Sequence, residues 1–176
     1  MKDKVVFFLL IIFVAISCKE PEARRPKKHA TTNFYQEVLK ENKKLNELEK
    51  SRLEKWIAQD TIKQYKISPN GYWYYYETKD TLDLATPKPE DVVLLSYDIT
   101  ALTGEILYEK KERSYKVDKE DFIPALQDGI KLMKKGETIT FVIPSYRAFG
   151  VTGDGNKVAV NQPIQSTVTL IDIKSK

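Results

Sequence analysis

The chain contains one histidine and one cysteine, His29 and Cys18, in 176 residues. A Ser/His/Asp triad, a Cys/His dyad and a zinc site each need more than this. No metal site and no cofactor are therefore expected. No Walker loop or dinucleotide fingerprint occurs, and the short run Gly153-Asp154-Gly155-Asn156 reads as a turn, not as a phosphate cradle or calcium loop. Excess charge of one sign is also missing. The formal net charge is +4, and the basic residues cluster at Arg24–His29 without forming a broad basic face. Nucleic acid is thus not an expected partner. No apolar run is long enough to span a bilayer, since Val5–Ile16 supplies only about twelve residues where about twenty are needed. Any catalysis must then work by shape and desolvation.

What is present begins with a targeting pattern. Lys2 and Lys4 precede the apolar run, and Ala15-Ile16-Ser17-Cys18 follows it. This ending resembles a bacterial lipobox, with alanine where leucine is usual. The resemblance implies a lipoprotein signal peptide over residues 1–17 and lipidation of Cys18, with several acyl chains giving stable membrane anchoring. Residues 18–32 hold Pro21, Pro26 and mixed charge without apolar periodicity, so they read as a flexible tether.

Residues 33–65 contain no glycine or proline, and Val38, Leu45, Leu48, Leu53, Trp56 and Ile57 are sparse among charged and polar residues. The segment is expected to be a helical arm, running to about Gln64. Asn42 and Arg52 break a heptad reading. Two roles stay open: a spacer or dimerisation arm, and a helix whose last turns dock on the domain through Leu53, Trp56 and Ile57.

After the turn Pro69-Asn70-Gly71, five aromatics, Tyr72 to Tyr76, make a strand buried on one side and partly covered on the other. Val92–Thr100 and Ile106–Glu109 are strands, Lys110–Ser114 is a charged loop or bulge, and Tyr115 and Val117 alternate inward. Asp121–Gly155 then packs a helix, a turn, a strand and an aromatic loop together. Phe122, Ile123, Leu126, Ile130 and Met133 fall on one helical face, with Asp121 as N-cap, Pro124 in the first turn and Gly136 as the closing cap. Thr138–Ile143 alternates as a half-buried strand, Pro144 stops it, and a loop with Tyr146 and Phe149 follows. A last strand over Thr167–Ile173 closes an α+β domain in residues 71–176.

The segments VLLSYDI at Tyr97, TGEILYEK at Tyr108, DFIPALQDGIKLMKKGE and TITFVIPSYRAFGVTG resemble FKBP-type peptidyl-prolyl isomerases. The lipobox, the Lys/Glu-rich helix and the tyrosine-rich strand are also similar to the gliding-motility-associated isomerase lipoproteins of Bacteroidetes. The family resemblance implies a curled antiparallel sheet around one short helix, with an apolar pocket between them, here preceded by the long N-terminal helix. It implies that Tyr97, Tyr108, Phe122, Ile123, Leu126, Phe149 and Leu170 line that pocket. Glu109 takes the place of the family's aspartate and Tyr115 that of a further aromatic, which a second alignment puts at Arg113.

The implied activity fits the inventory. Rotation about an X–Pro bond faces a barrier of roughly 20 kcal/mol because the amide is resonance-stabilised. Water bonded to the carbonyl favours the planar form, so an apolar site that strips this water disfavours the ground state. The family also implies a backbone donor at Ile123 for the substrate carbonyl. Four positions depart from the family: Leu126 replaces tryptophan, Phe149 tyrosine, Leu170 phenylalanine and Glu109 aspartate. Together they imply lowered activity or altered specificity; the alternative is a lipid-anchored binding or assembly module that turns over weakly or not at all. The expected partners are proline-containing polypeptides and the membrane, with dimerisation through residues 33–65. The expected location is the cell envelope, on the periplasmic side of the outer membrane.

Overall fold

The computed structural model describes residues 31–81 and 84–175. The expected signal peptide, the expected lipidation site at Cys18 and the expected tether before residue 31 lie outside these residues. The chain divides into two units between Glu41 and Asn42. Of the first unit, the described part is the opening of helix α1, Thr31–Gln59, where Phe34, Tyr35, Val38 and Leu39 are solvent-exposed. Among the described residues no helix is long and apolar enough to cross a membrane.

The second unit is built on six strands: β1 (Lys66–Ile67), β2 (Trp73–Thr78), β3 (Val92–Ala101), β4 (Ile106–Lys116), β5 (Thr138–Ile143) and β6 (Ile164–Lys174). They form one sheet in the order β1-β2-β5-β6-β3-β4, antiparallel throughout. A short α-helix, α2 (Pro124–Ile130), packs on one face. Strand alternation decides which side chains meet it. Phe141, Ile139 and Ile143 from β5, with Val93, Leu95 and Tyr97 from β3, join Leu126, Ile130 and Met133 in the main core.

The opposite face is covered at one end by α1. Leu53 packs with Trp73 and Val142, and Trp56, Ile57 and Tyr65 close around them. The docking expected of Leu53, Trp56 and Ile57 is therefore present. Glu49, one turn earlier, accepts hydrogen bonds from the Ser145 backbone N–H at 2.6 Å and from the Ser145 hydroxyl at 2.7 Å. The helix thus holds the start of the aromatic loop that follows β5.

Three local expectations differ from what forms. The helix α1 stops at Gln59, and the Asp60 carboxylate accepts N–H bonds from Ile62 and Lys63, turning the chain out of the helix. Lys111–Ser114 is strand, not loop, because it pairs in register with Tyr97 to Leu94 of β3, and the expected bulge is confined to a register shift at Glu109 and Lys110. As an edge strand, β4 leaves its charged side chains in water, so the missing apolar alternation does not disfavour it. Finally, α2 begins at Pro124 with Ile123 in the capping position and no side-chain cap, so Asp121 lies upstream of the helix. Gly136 also lies beyond the helix; its N–H donates to the Leu170 carbonyl at 2.7 Å and its φ is +87°.

The approach of α2 to the sheet depends on Gly129. A Cβ there would stand 2.4 Å from Cε1 of Phe141, whose ring fills the space. Overpacking of this kind costs roughly 1–3 kcal/mol. Gly129→Ala is therefore expected to lower stability by about that amount in urea unfolding. An unchanged midpoint would show that the ring gives way freely.

Candidate functional site: an aromatic cavity with a charged rim

Between α2, the edge of the sheet and the loop after β5 lies a cavity of about 380 Å³. Its volume falls within the range of small-ligand sites. Tyr97 and Ile99 of β3 and Tyr108 of β4 form one wall, Phe122 and Ile123 a second, and Phe149 a third. The Tyr97 and Phe122 rings meet edge to face, with centroids 5.1 Å apart and planes at 84°. Such contacts hold both rings without stacking them.

Each wall has a local cause. Tyr97 and Ile99 flank a register shift in β3, where Asp98 accepts the Thr167 N–H at 2.9 Å. Ile123 immediately precedes α2, and its carbonyl accepts bonds from the Leu126 and Gln127 N–H groups. Its own N–H has no protein acceptor among the described residues, and Ile123 lines the cavity. A helix start with an unengaged N–H offers a donor to a ligand oxygen. Phe149 follows the one-turn segment Ser145–Arg147, which Arg147 fastens to Asp128 of α2.

The structure brings Tyr97, Tyr108, Phe122, Ile123 and Phe149 together around this cavity. Leu126 and Leu170 are each 0% exposed and belong to the core without lining it. Tyr115 is also fully buried, and its ring packs 5.4 Å from that of Phe122. Glu109 is exposed on the edge strand and does not line the cavity.

Residues not anticipated at the site include Lys111 and Asp154, while Arg113, the alternative to Tyr115 for the further aromatic position, also lines it. Asp154 comes from the run read as a turn. It does form one: its carboxylate accepts N–H bonds from Asn156 at 2.9 Å and Val158 at 2.8 Å. The same carboxylate accepts the Tyr108 hydroxyl. Gly153 makes the bend at φ +65°, where a Cβ would lie 2.3 Å from the Val158 carbonyl oxygen. Asp154 thereby fastens its loop to β4 across the cavity mouth.

The electrostatics follow from these bonds. Partial burial pushes the Asp154 carboxyl up, but the bonds from Tyr108, Asn156 and Val158 outweigh it and hold the group below the ordinary aspartate range. The bond to Asp154, followed by desolvation and the carboxylate's charge, pushes the Tyr108 phenol up, so it remains a donor at neutral pH.

A family model for FKBP-type peptidyl-prolyl cis-trans isomerases matches residues 84–171, half of the chain and nearly all of the cavity-bearing region. The chain belongs to this family. It is 28% identical over 163 residues to the protein named Probable FKBP-type peptidyl-prolyl cis-trans isomerase FkpA of Neisseria meningitidis serogroup B, strain MC58. That match covers 88% of this chain and 53% of the relative, so the chain spans about half the relative's length.

Solved structures share the FKBP-like fold. Crystalline FkpA of Escherichia coli aligns with a TM-score of 0.60 at 22% identity, over 99% of this chain and 82% of that one. A peptidyl-prolyl cis-trans isomerase of Pseudomonas syringae pv. tomato aligns with a TM-score of 0.58 at 21% identity, over 73% of this chain and 96% of that one. The three-domain structure of wheat FKBP73 aligns with a TM-score of 0.55 at 24% identity, over 61% and 46% respectively.

The Asp154 clasp yields a pH-dependent expectation. A carboxyl held below its ordinary value of about 3.9 stabilises the folded loop above that pH and loses its contribution as pH falls through the folded value. Asp154→Asn removes the charge at every pH. The protection factors of the Asn156 and Val158 amides, taken against the intrinsic rate at each pH, should fall in this variant at neutral pH, and in the parent on acidification below the aspartate range. Equal protection in both proteins would show that the loop is held by its backbone alone.

Proposed function

We propose that the cavity is the active site of a peptidyl-prolyl cis-trans isomerase that assists the folding of exported proteins. The observation that carries this reading is the Ile123 N–H, without a protein acceptor among the described residues, in an aromatic cavity of a chain that belongs to the FKBP family. The proline ring enters between Tyr97, Phe122 and Phe149, and the preceding carbonyl loses its water to apolar walls. The bare carbonyl favours the twisted amide over the planar one, and the Ile123 N–H fixes its position. No proton is transferred and no bond is broken.

The finer reading extends to location and partners. Clients are proline-containing polypeptides, and uncatalysed isomerisation in tens of seconds or more is slow enough to limit their folding. Cys18 carries the lipid that anchors the protein to the envelope, with the domain on the periplasmic side of the outer membrane. The protein serves surface gliding motility, by the likeness of its leader, helix and tyrosine-rich strand to that group of isomerase lipoproteins. The exposed Phe34, Tyr35, Val38 and Leu39 of α1 support self-association through residues 33–65. Sedimentation that returns the monomer mass at every concentration would remove that last element.

A second reading is a module that binds prolyl segments without turning them over. It is favoured by the missing hydroxyl at Phe149 and the burial of Leu126 outside the cavity lining. A protease-coupled assay on an Ala-Pro peptide decides between the two. The isomerase reading expects a rate above background from the purified protein, and none would sink it. Phe149→Tyr is expected to tighten prolyl-peptide affinity several-fold by restoring a neutral hydrogen bond of roughly 1 kcal/mol. Unchanged affinity would place that ring edge away from the bound peptide.

A further inference from the structure

The rim of the cavity carries charge that rotation about a prolyl bond does not use. Strand pairing sets Lys111 opposite Tyr97, Arg113 opposite Leu95 and Tyr115 opposite Val93. Alternation puts these three side chains on the cavity face of β4, while Glu112, the intervening acid, falls on the other face. The Lys111 ammonium stands 5.4 Å from the Tyr97 ring centroid and 5.8 Å from that of Tyr108. The Arg113 guanidinium lies 4.6 Å from the Phe122 centroid and donates to the backbone carbonyl of Asp121 at 2.8 Å. From the facing loop, the Lys157 ammonium stands 5.3 Å from the Tyr108 centroid.

None of these three cations forms an ion pair among the described residues, although six other lysines and arginines do. The cavity lining contains two carboxylates, Asp121 and Asp154. Asp154 is already committed to Tyr108 and to two backbone N–H groups. Lys111 and Arg113 line the pocket together with Asp121 and Asp154, and Lys157 stands beside it against the Tyr108 ring, so three cations lie about a mouth that holds two carboxylates, one of them already hydrogen-bonded. Aromatic faces hold a cation weakly where water still reaches it. A carboxylate offered by a ligand would gain charge-assisted hydrogen bonds there, and from Arg113 a planar fork.

We propose that this site selects prolyl segments with an acidic residue adjoining the proline, and that Lys111 and Arg113 are its specificity-determining residues. The inference rests on the isomerase reading and adds the class of substrate. The apolar walls take the proline ring, and the rim takes the neighbouring carboxylate. Because the rim is solvent-exposed, salt screens the preference. A basic neighbour is disfavoured by the same charges.

The test is exchange NMR on short Ala-Pro peptides with glutamate, leucine or lysine placed before or after the proline, using the intact protein. The expected result is kcat/KM about tenfold higher for the better-placed glutamate than for lysine at the same position, since each exposed pair contributes up to a few-fold. High salt should compress the ratio toward unity. Lys111→Glu should invert it, and Lys111→Gln should reduce it without inversion. Equal rates for glutamate and lysine peptides, with the leucine peptide turned over, would overturn the selection and leave the isomerase reading intact. No turnover of any peptide would overturn the isomerase reading. Chemical-shift titration with the same peptides then decides the selection, which fails if glutamate binds no tighter than lysine. A glutamate preference unaltered in Lys111→Glu would overturn the assignment to that residue.

Discussion

The edge of one phenyl ring governs the geometry of the domain. Phe141 projects from the strand at the middle of the β2-β5-β6 group and lies against the backbone of α2 where Gly129 has no side chain. That contact sets how deeply the helix sits, and the depth sets the position of Ile123 at its start. The cavity is consequently a product of packing elsewhere. Its second wall is the end of a helix whose placement is fixed by a residue that does not line it.

Around this helix the site is assembled from parts that constrain one another. Asp128 holds Arg147 and so ties the aromatic loop to α2, while Glu49 binds the loop's first residue from the side of α1. Asp154 closes the far end onto Tyr108. Phe149 therefore lies in a segment secured at Ser145, Arg147 and Asp154. A rigid wall of this kind lowers the ordering cost of ligand binding. The loop is preorganised by three carboxylates, none from the strand position at which the family resemblance put one.

How far the sequence discloses this arrangement depends on the physical range of each signal. Helical spacing in Ile123, Leu126, Ile130 and Met133 and alternation in β5 are local, and they locate the core face. They do not distinguish a residue that lines a cavity from one packed behind it, which is why Leu126 and Leu170 belong to the fold more directly than to the cavity surface. Apolar periodicity is silent on an exposed edge, so Lys110–Ser114 lacks a strand signal even though Lys111 to Ser114 pair in register with β3. The Tyr108–Asp154 contact joins residues forty-six apart in the chain and has no local signature at all. Turn chemistry explains the shape of the Gly153–Gly155 segment but not where that turn comes to rest.

β4 is eleven residues long and forms the outer boundary of the sheet. An open edge of that length presents a row of backbone groups to any extended chain nearby, its own copies included. The residues Lys110, Lys111, Glu112 and Arg113 place charge along the centre of that edge. A second identical strand laid against it would strip water from this row of charges. The charged stretch that hides the strand from a periodicity reading thus also keeps the sheet finite. It lets the edge stand open without becoming a template for aggregation.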